Sequence, residues 1–252
     1  MISKEKIELP WKVPGKNLIV KELTIERIPA AVAILATAYV EGEPTTMWMK
    51  TKYEDIITFK TNKLISSFKT EPNLSVIITD ENDEMLGVHL VLELNLQKDP
   101  IEGTASKCLN ATLDNIYRDY YFQAKNEGRV IRSFGSGVQE KAKGANLMQF
   151  LFLGTVVLAA RHGFTWFEVP TTNLYSSKAC QKFEFKKIHQ LIYDDFLYNG
   201  VNVFVGMDGF FTEKINAKRP PDKQLKNAAR SYDLYEGKII DLLDKASNLF
   251  NS

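Results

Sequence analysis

Cysteine is nearly absent. Cys108 and Cys180 are the only two in 252 residues. A pair so far apart makes neither a disulfide framework nor a zinc-ligand cluster. Two reduced thiols in a reducing compartment are expected. A charge excess of either sign is missing too: 32 basic residues face 31 acidic ones, for a formal charge of +1. No global field draws such a chain to nucleic acid or to an acidic membrane. Long apolar runs are also missing. The longest, Leu147 to Ala160, is broken by Gln149 and Thr155 and is too short to span a bilayer. Met1 to Gly15 alternate charged and apolar side chains, so no secretory signal is expected there. These absences read as a cytoplasmic protein with no metal, no nucleic-acid partner and no membrane anchor. There is no internal repeat and no low-complexity tract.

What is present is ordinary for a globular chain: 44% hydrophobic residues and 25% charged. Leu18–Leu23 alternates like a half-buried strand. Helical spacing follows through Val32, Leu35 and Tyr39 until Glu41-Gly42-Glu43-Pro44 breaks it. Tyr53–Phe68 reads as a second helix, with Ile56, Ile57, Leu64, Ile65 and Phe68 on one face. Leu74–Thr79 and Met85–Leu94 form a hairpin around the turn-rich Asp80–Glu84. A helix is expected over Ser106–Lys125 and a strand over Arg129–Val138, where Gly135 and Gly137 mark a bulge or a close backbone approach. The apolar helix Asn146–Arg161, stopped by His162-Gly163, leads to a strand over Thr165–Thr172 and a short helix over Ser176–Phe183. Strands over Lys186–Phe196 and Val201–Met207 are joined by the hairpin dipeptide Asn199-Gly200. This order predicts an α/β fold: a mixed, mostly antiparallel sheet flanked by helices.

The tail reads differently. Residues 218–252 are expected to hold a linker, Lys218-Arg219-Pro220-Pro221, and an added C-terminal amphipathic helix. After Asp222, apolar residues from Leu225 to Leu249 alternate spacings of three and four, as a heptad seam does. Such a helix packs on its own domain or pairs with a protein partner or a second copy through residues 222–252. Gly237 within it weakens a rigid coil. The chain thus divides into an extension (1–16), a domain (17–217) and this tail (218–252).

The segment Val138–Phe185 carries the most chemistry. A strand ends at Val138, and the turn Gln139–Ala145 runs straight into a helix. Such a turn can aim backbone N–H groups at a phosphate, which the helix dipole favours, and Lys141 and Lys143 can add charge-assisted bonds. Gly163-Phe164, a strand, Asn173, a short helix and Lys182-Phe183-Glu184-Phe185 follow.

That succession resembles the core of the GNAT superfamily of N-acetyltransferases. Tyr193-Asp194-Asp195-Phe196 looks like the tyrosine-x-aspartate-tyrosine ending of its arylalkylamine (dopamine-type) branch. Tyr39-Val40-Glu41-Gly42-Glu43-Pro44-Thr45 looks like that branch's phenylalanine-phenylalanine…glutamate-proline-leucine element. The resemblance covers roughly residues 17–207. It implies a GNAT-type sheet, acetyl-CoA as co-substrate and a small primary amine, arylalkyl in that branch, as acceptor. Backbone amides of Lys143, Gly144, Ala145, Asn146 and Leu147 would hold the CoA pyrophosphate. Gly137 and Val138 would pair with the pantetheine arm, and Asn173 would orient that arm or a water. Glu43 would be the general base, since an ammonium must lose a proton before it attacks. Ser176, Ser177 or Cys180 would protonate the leaving thiolate. Tyr39, Trp48 and Tyr175 would receive an arylalkyl group. His89, His162 and His189 take no catalytic role. The sequence departs from the family at Asn146 and Met148 in the loop and at Glu184, which stands where the family has glycine.

Overall fold

Three apolar residues in a row, Val76–Ile78, and their polar neighbours Ser75 and Thr79 are all buried, as a strand at the centre of a layered sheet must be. This strand, β3 (Val76–Asp80), pairs antiparallel with β2 (Leu18–Glu22) and β4 (Met85–Glu93). The structure, a computed structural model, describes residues 8–94, 111 and 128–244. Among them the main sheet has the order β1-β2-β3-β4-β5-β6-β10-β7, with β1 Trp11–Lys12, β5 Val130–Val138, β6 Trp166–Thr171, β7 Lys186–Ile192 and β10 Ser231–Lys238. Every described pairing is antiparallel except β5–β6.

Helices α1 (Ile28–Gly42) and α3 (Tyr53–Ser67) cover one face, where Val32, Leu35 and Leu64 pack on Ile77, Val88 and Leu90. Between them lies the short α2 (Pro44–Trp48). On the other face α4 (Leu147–Arg161) buries Leu151, Val156 and Phe152 against Val76, Ile78 and Ile131. This helix is apolar nearly all round because α5 (Leu174–Lys182) flanks it too. Within this core the His89 ring bonds Thr155 Oγ1 at 3.0 Å and Ser133 Oγ at 2.9 Å. Burial pushes its pKa down to about 3, so it stays neutral.

Two expectations fail after Ile192. The strand read over Lys186–Phe196 stops there, and Tyr193–Asp195 is a 3-10 turn. The Asn199-Gly200 hairpin does form, with φ of 52° and 78°, but joins only two-residue strands, β8 (Leu197–Tyr198) and β9 (Val201–Asn202), outside the main sheet. Turns over 203–206 replace most of the second strand, and helix α6 (Met207–Asn216) follows.

The larger correction is the tail. The described part of residues 222–252 is not a helical appendage: Ser231–Lys238 is β10, seated between β6 and β7, and α-helix appears among those described residues only over 239–244. The supposed heptad residues Tyr232, Tyr235, Ile239 and Leu242 are buried in the chain's own core, so they offer no seam to a partner. The boundary at 217 therefore cuts through one folded unit. Gly237 sits at the fold-back, where a Cβ would come within 2.9 Å of Leu242 Cδ1. The helix expected over Ser106–Lys125 falls, apart from Ala111, outside the described residues, as does Cys108.

Glu184, where the resemblance calls for glycine, has φ 62°. An L-residue pays for this left-handed conformation, and glycine does not. Glu184→Gly is therefore expected to stabilise the fold by up to about 1 kcal/mol, read as a higher urea midpoint with an unchanged m-value.

Candidate functional site

The sheet opens between β5 and β6. They pair only at Val130↔Trp166, Ile131↔Phe167 and Arg132↔Glu168. On this last rung Arg132 Nε donates to the buried Glu168 Oε1 at 3.1 Å. Beyond it β5 carries a bulge: Val91 faces Ser133 and Leu90 faces Gly135, which leaves Phe134 as the extra residue. Past the bulge Gln139 N–H donates to Leu86 O at 2.9 Å. Strand alternation then turns the N–H and C=O groups of Ser136 and Val138 away from β4, toward the side where β6 has departed. Among the described residues Val138 thus leaves backbone groups without a strand partner. Gly137 does not, because its backbone faces β4. Its role is steric: a Cβ there would lie 2.9 Å from Leu35 Cα and 3.0 Å from Ile34 O, so only glycine lets α1 lie this close to β5.

Below the opening, β5 runs into the turn Gln139–Asn146. Gly144 has φ 86°, with nothing within 4 Å of where a Cβ would be. Asn146 has φ 58° and ψ 32°, the left-handed geometry that asparagine tolerates. Its side chain caps nothing, and the N–H groups of Gly144, Asn146, Leu147 and Met148 have no acceptor among the described residues. Ala145 is different, since its N–H is used by Ala142 O at 3.4 Å. The open N–H groups and the α4 dipole make a concave, anion-favouring corner. Lys143 pairs with Glu140, and Lys141 with Glu84, both on the surface. Such exposed pairs are weak and give way to a competing anion.

Above the opening, α1 ends at Gly42 and Glu43 starts α2. Its carboxylate accepts from Thr45 N at 3.1 Å, from Thr45 Oγ1 at 2.9 and 2.8 Å, and from Thr46 N at 2.5 Å. Glu43 is thus an N-cap as well as a candidate base. One helical turn earlier, Tyr39 points the same way, and its Oη rests against Gly135: a Cβ there would come within 2.5 Å of it. Burial, reinforced by the Glu43 charge, raises the Tyr39 hydroxyl above the ordinary range. The Glu43 charge also acts on Lys60, Tyr193 and Tyr232. Lys60 Nζ donates to Phe134 O and lies 3.6 Å from the Phe134 ring centroid. Burial pulls its pKa down to about 7, against the opposing pull of Glu43. Tyr193 Oη donates to Thr172 O at 3.3 Å, which ties this group to the start of α5.

The α5 residues divide. Asn173 caps the helix, accepting from Tyr175 N at 2.9 Å and Ser176 N at 3.1 Å. Ser176 Oγ donates to Asn173 O at 3.0 Å. Ser177 is buried and shares a hydrogen bond with Thr171 Oγ1 at 2.9 Å. Cys180 is corrected: α5 turns it inward among Phe152, Phe183 and Phe185, with no exposed surface, and burial raises its thiol pKa. A thiol sealed in the core hands no proton to the cleft. Trp48 donates from Nε1 to Val203 O at 2.7 Å and stacks edge-on with Phe210. Tyr175 lies on the outside, accepting from Arg219 Nη2 at 2.7 Å.

Sequence reasoning missed Lys60, Arg132, Glu168 and Tyr193 as site neighbours and placed Tyr232 on a helix. Lys60 left a signal: it stands four residues from both Ile56 and Leu64, in the middle of the apolar face of α3.

The sequence matches no protein-family model and no curated relative. Solved structures do match in shape. Arylalkylamine N-acetyltransferase 2 from Aedes aegypti is 16% identical, with 89% of this chain on 100% of that one and a TM-score of 0.67. The C-terminal condensation domain of Ebony, in complex with β-alanyl-dopamine, is 14% identical, with 88% on 98% and a TM-score of 0.68. A polyamine N-acetyltransferase from Drosophila melanogaster is 15% identical, with 88% on 99% and a TM-score of 0.63. The chain has the GNAT acetyltransferase fold.

Proposed function

We propose that this chain, built on the GNAT fold, is an N-acetyltransferase that moves the acetyl group of acetyl-CoA to a small primary amine. The observation that carries this reading is the opening at Arg132/Glu168, with unpaired backbone on one wall, an N–H-lined corner below and Glu43 above. The residues fit the co-substrate. Ser136 and Val138 have backbone groups free to bond a pantetheine arm as a strand would. Gly144, Asn146, Leu147 and Met148 have N–H groups free for a pyrophosphate. Bound there, acetyl-CoA supplies a thioester carbonyl. Glu43 takes the ammonium proton, with Thr45 Oγ1 rotating away to make room. An N–H from the open half of β5 faces the oxygen where charge develops. Holding both reactants in one cleft supplies much of the rate. The ring of Tyr39, next to the Glu43 charge, favours an amine with an aromatic or apolar body.

Calorimetric titration with acetyl-CoA tests this reading. Micromolar binding is expected, with at least a tenfold loss in Gly144→Trp, whose indole would block the corner and whose side chain is ill-suited to φ 86°. Binding that is undiminished in that variant, or none in the wild type at millimolar acetyl-CoA, would refute it.

A further inference from the structure

We infer that the Tyr39 hydroxyl is the proton donor to the leaving thiolate, a role which rests on the acetyl-transfer reading above. The fold sets the Tyr39 hydroxyl beside the opening of the sheet. Tyr39 Oη rests against Gly135, directly after the bulge, where β5 has lost its β6 neighbour. Tyr39 and Glu43 stand four residues apart on the same helical path, so both reach the opening from one side. The hydroxyl has no hydrogen-bond partner among the described residues. Burial and the Glu43 charge keep it protonated, and therefore a donor.

The rival donors are already committed. Ser176 Oγ gives its proton to Asn173 O at 3.0 Å, Ser177 shares its own with Thr171, and Cys180 lies in the core.

The step balances as follows. Glu43 first passes the ammonium proton on to solvent; from the neutral amine the nitrogen lone pair then forms the C–N bond to the thioester carbon, and Glu43, again a carboxylate, takes a proton from that nitrogen. The C–S bond breaks, its electron pair goes to sulfur, and sulfur takes the Tyr39 proton. Protonated Glu43 then returns its proton to the Tyr39 phenolate, which restores both groups.

Tyr39→Phe removes one oxygen and keeps the ring. With acetyl-CoA and an arylalkylamine, kcat is expected to fall about 100-fold while KM for acetyl-CoA is unchanged. A second donor separates proton donation from packing: S-acetyl-4-nitrothiophenol, whose thiolate leaves without protonation. With it the variant is expected to stay within about threefold of the wild type, since no proton transfer remains to be lost. An unchanged rate with acetyl-CoA, or an equal loss with both donors, overturns the inference and leaves the acetyl-transfer reading standing. A wild type that transfers acetyl from neither donor to any amine overturns both.

Discussion

Glu43→Gln is expected to lower kcat/KM for acetyl transfer about a thousandfold. Glutamine keeps one acceptor oxygen for the α2 cap but cannot take the amine proton. Its NH2 group also faces the donors that now bond the second carboxylate oxygen, Thr46 N and Thr45 Oγ1. The fold should therefore lose about 1 kcal/mol, far less than the loss in rate would represent. The two effects separate cleanly. Thermal melting reads the cap, steady-state kinetics read the base, and acetyl-CoA affinity should not move, because Glu43 lies across the opening from the anion-favouring corner. A drop in stability with full activity would show that Glu43 is a cap alone.

Gly137→Ala is expected to destabilise the protein by about 3 kcal/mol, the upper range for overpacking. The atoms in the way are Leu35 Cα at 2.9 Å and Ile34 O at 3.0 Å. These belong to the backbone of α1 and cannot rotate aside. For a domain of this size the melting temperature should fall by roughly 6–12 °C. Activity should fall as well in the fraction that remains folded, because α1 carries Tyr39 and leads into Glu43. Gly144→Ala provides the contrast: nothing lies within 4 Å of its Cβ position, so only the strain at φ 86° is paid. Equal melting temperatures for the Gly137 and Gly144 variants would contradict this account of the α1–β5 contact.

Much of the fold can be read from local chemistry. The β3–β4 hairpin follows from the polar Asp80–Glu84 turn between apolar runs, and α4 follows from its long apolar stretch ended at His162. Asn146 reaches the left-handed conformation that its residue type tolerates. The strand β10 is illegible for a physical reason. Tyr232 to Tyr235 are all buried, because neighbours cover both faces, and a register shift at Leu234/Tyr235 breaks the period of two. Apolar residues then fall by chance on spacings of three and four. Glu43 was accessible through the glutamate-proline pair. The placement of Tyr39 was not, since it depends on a bulge in β5 that no pattern near Tyr39 records. Cys180 misled because a helix matched by analogy says nothing of which side faces the core.

The position of β10 carries a consequence for biosynthesis. The strand is made after β6 and β7 yet lies between them. A nascent chain that has just delivered β7 out of the ribosome tunnel must hold two unsatisfied strand edges apart, with the gap reserved for a segment still inside. Such edges are templates for mispairing with other chains. The sheet can close only when residues 231–238 have cleared the tunnel, so both edges stay open for the whole interval between the emergence of β7 and that of β10, with holdase chaperones as natural companions until then.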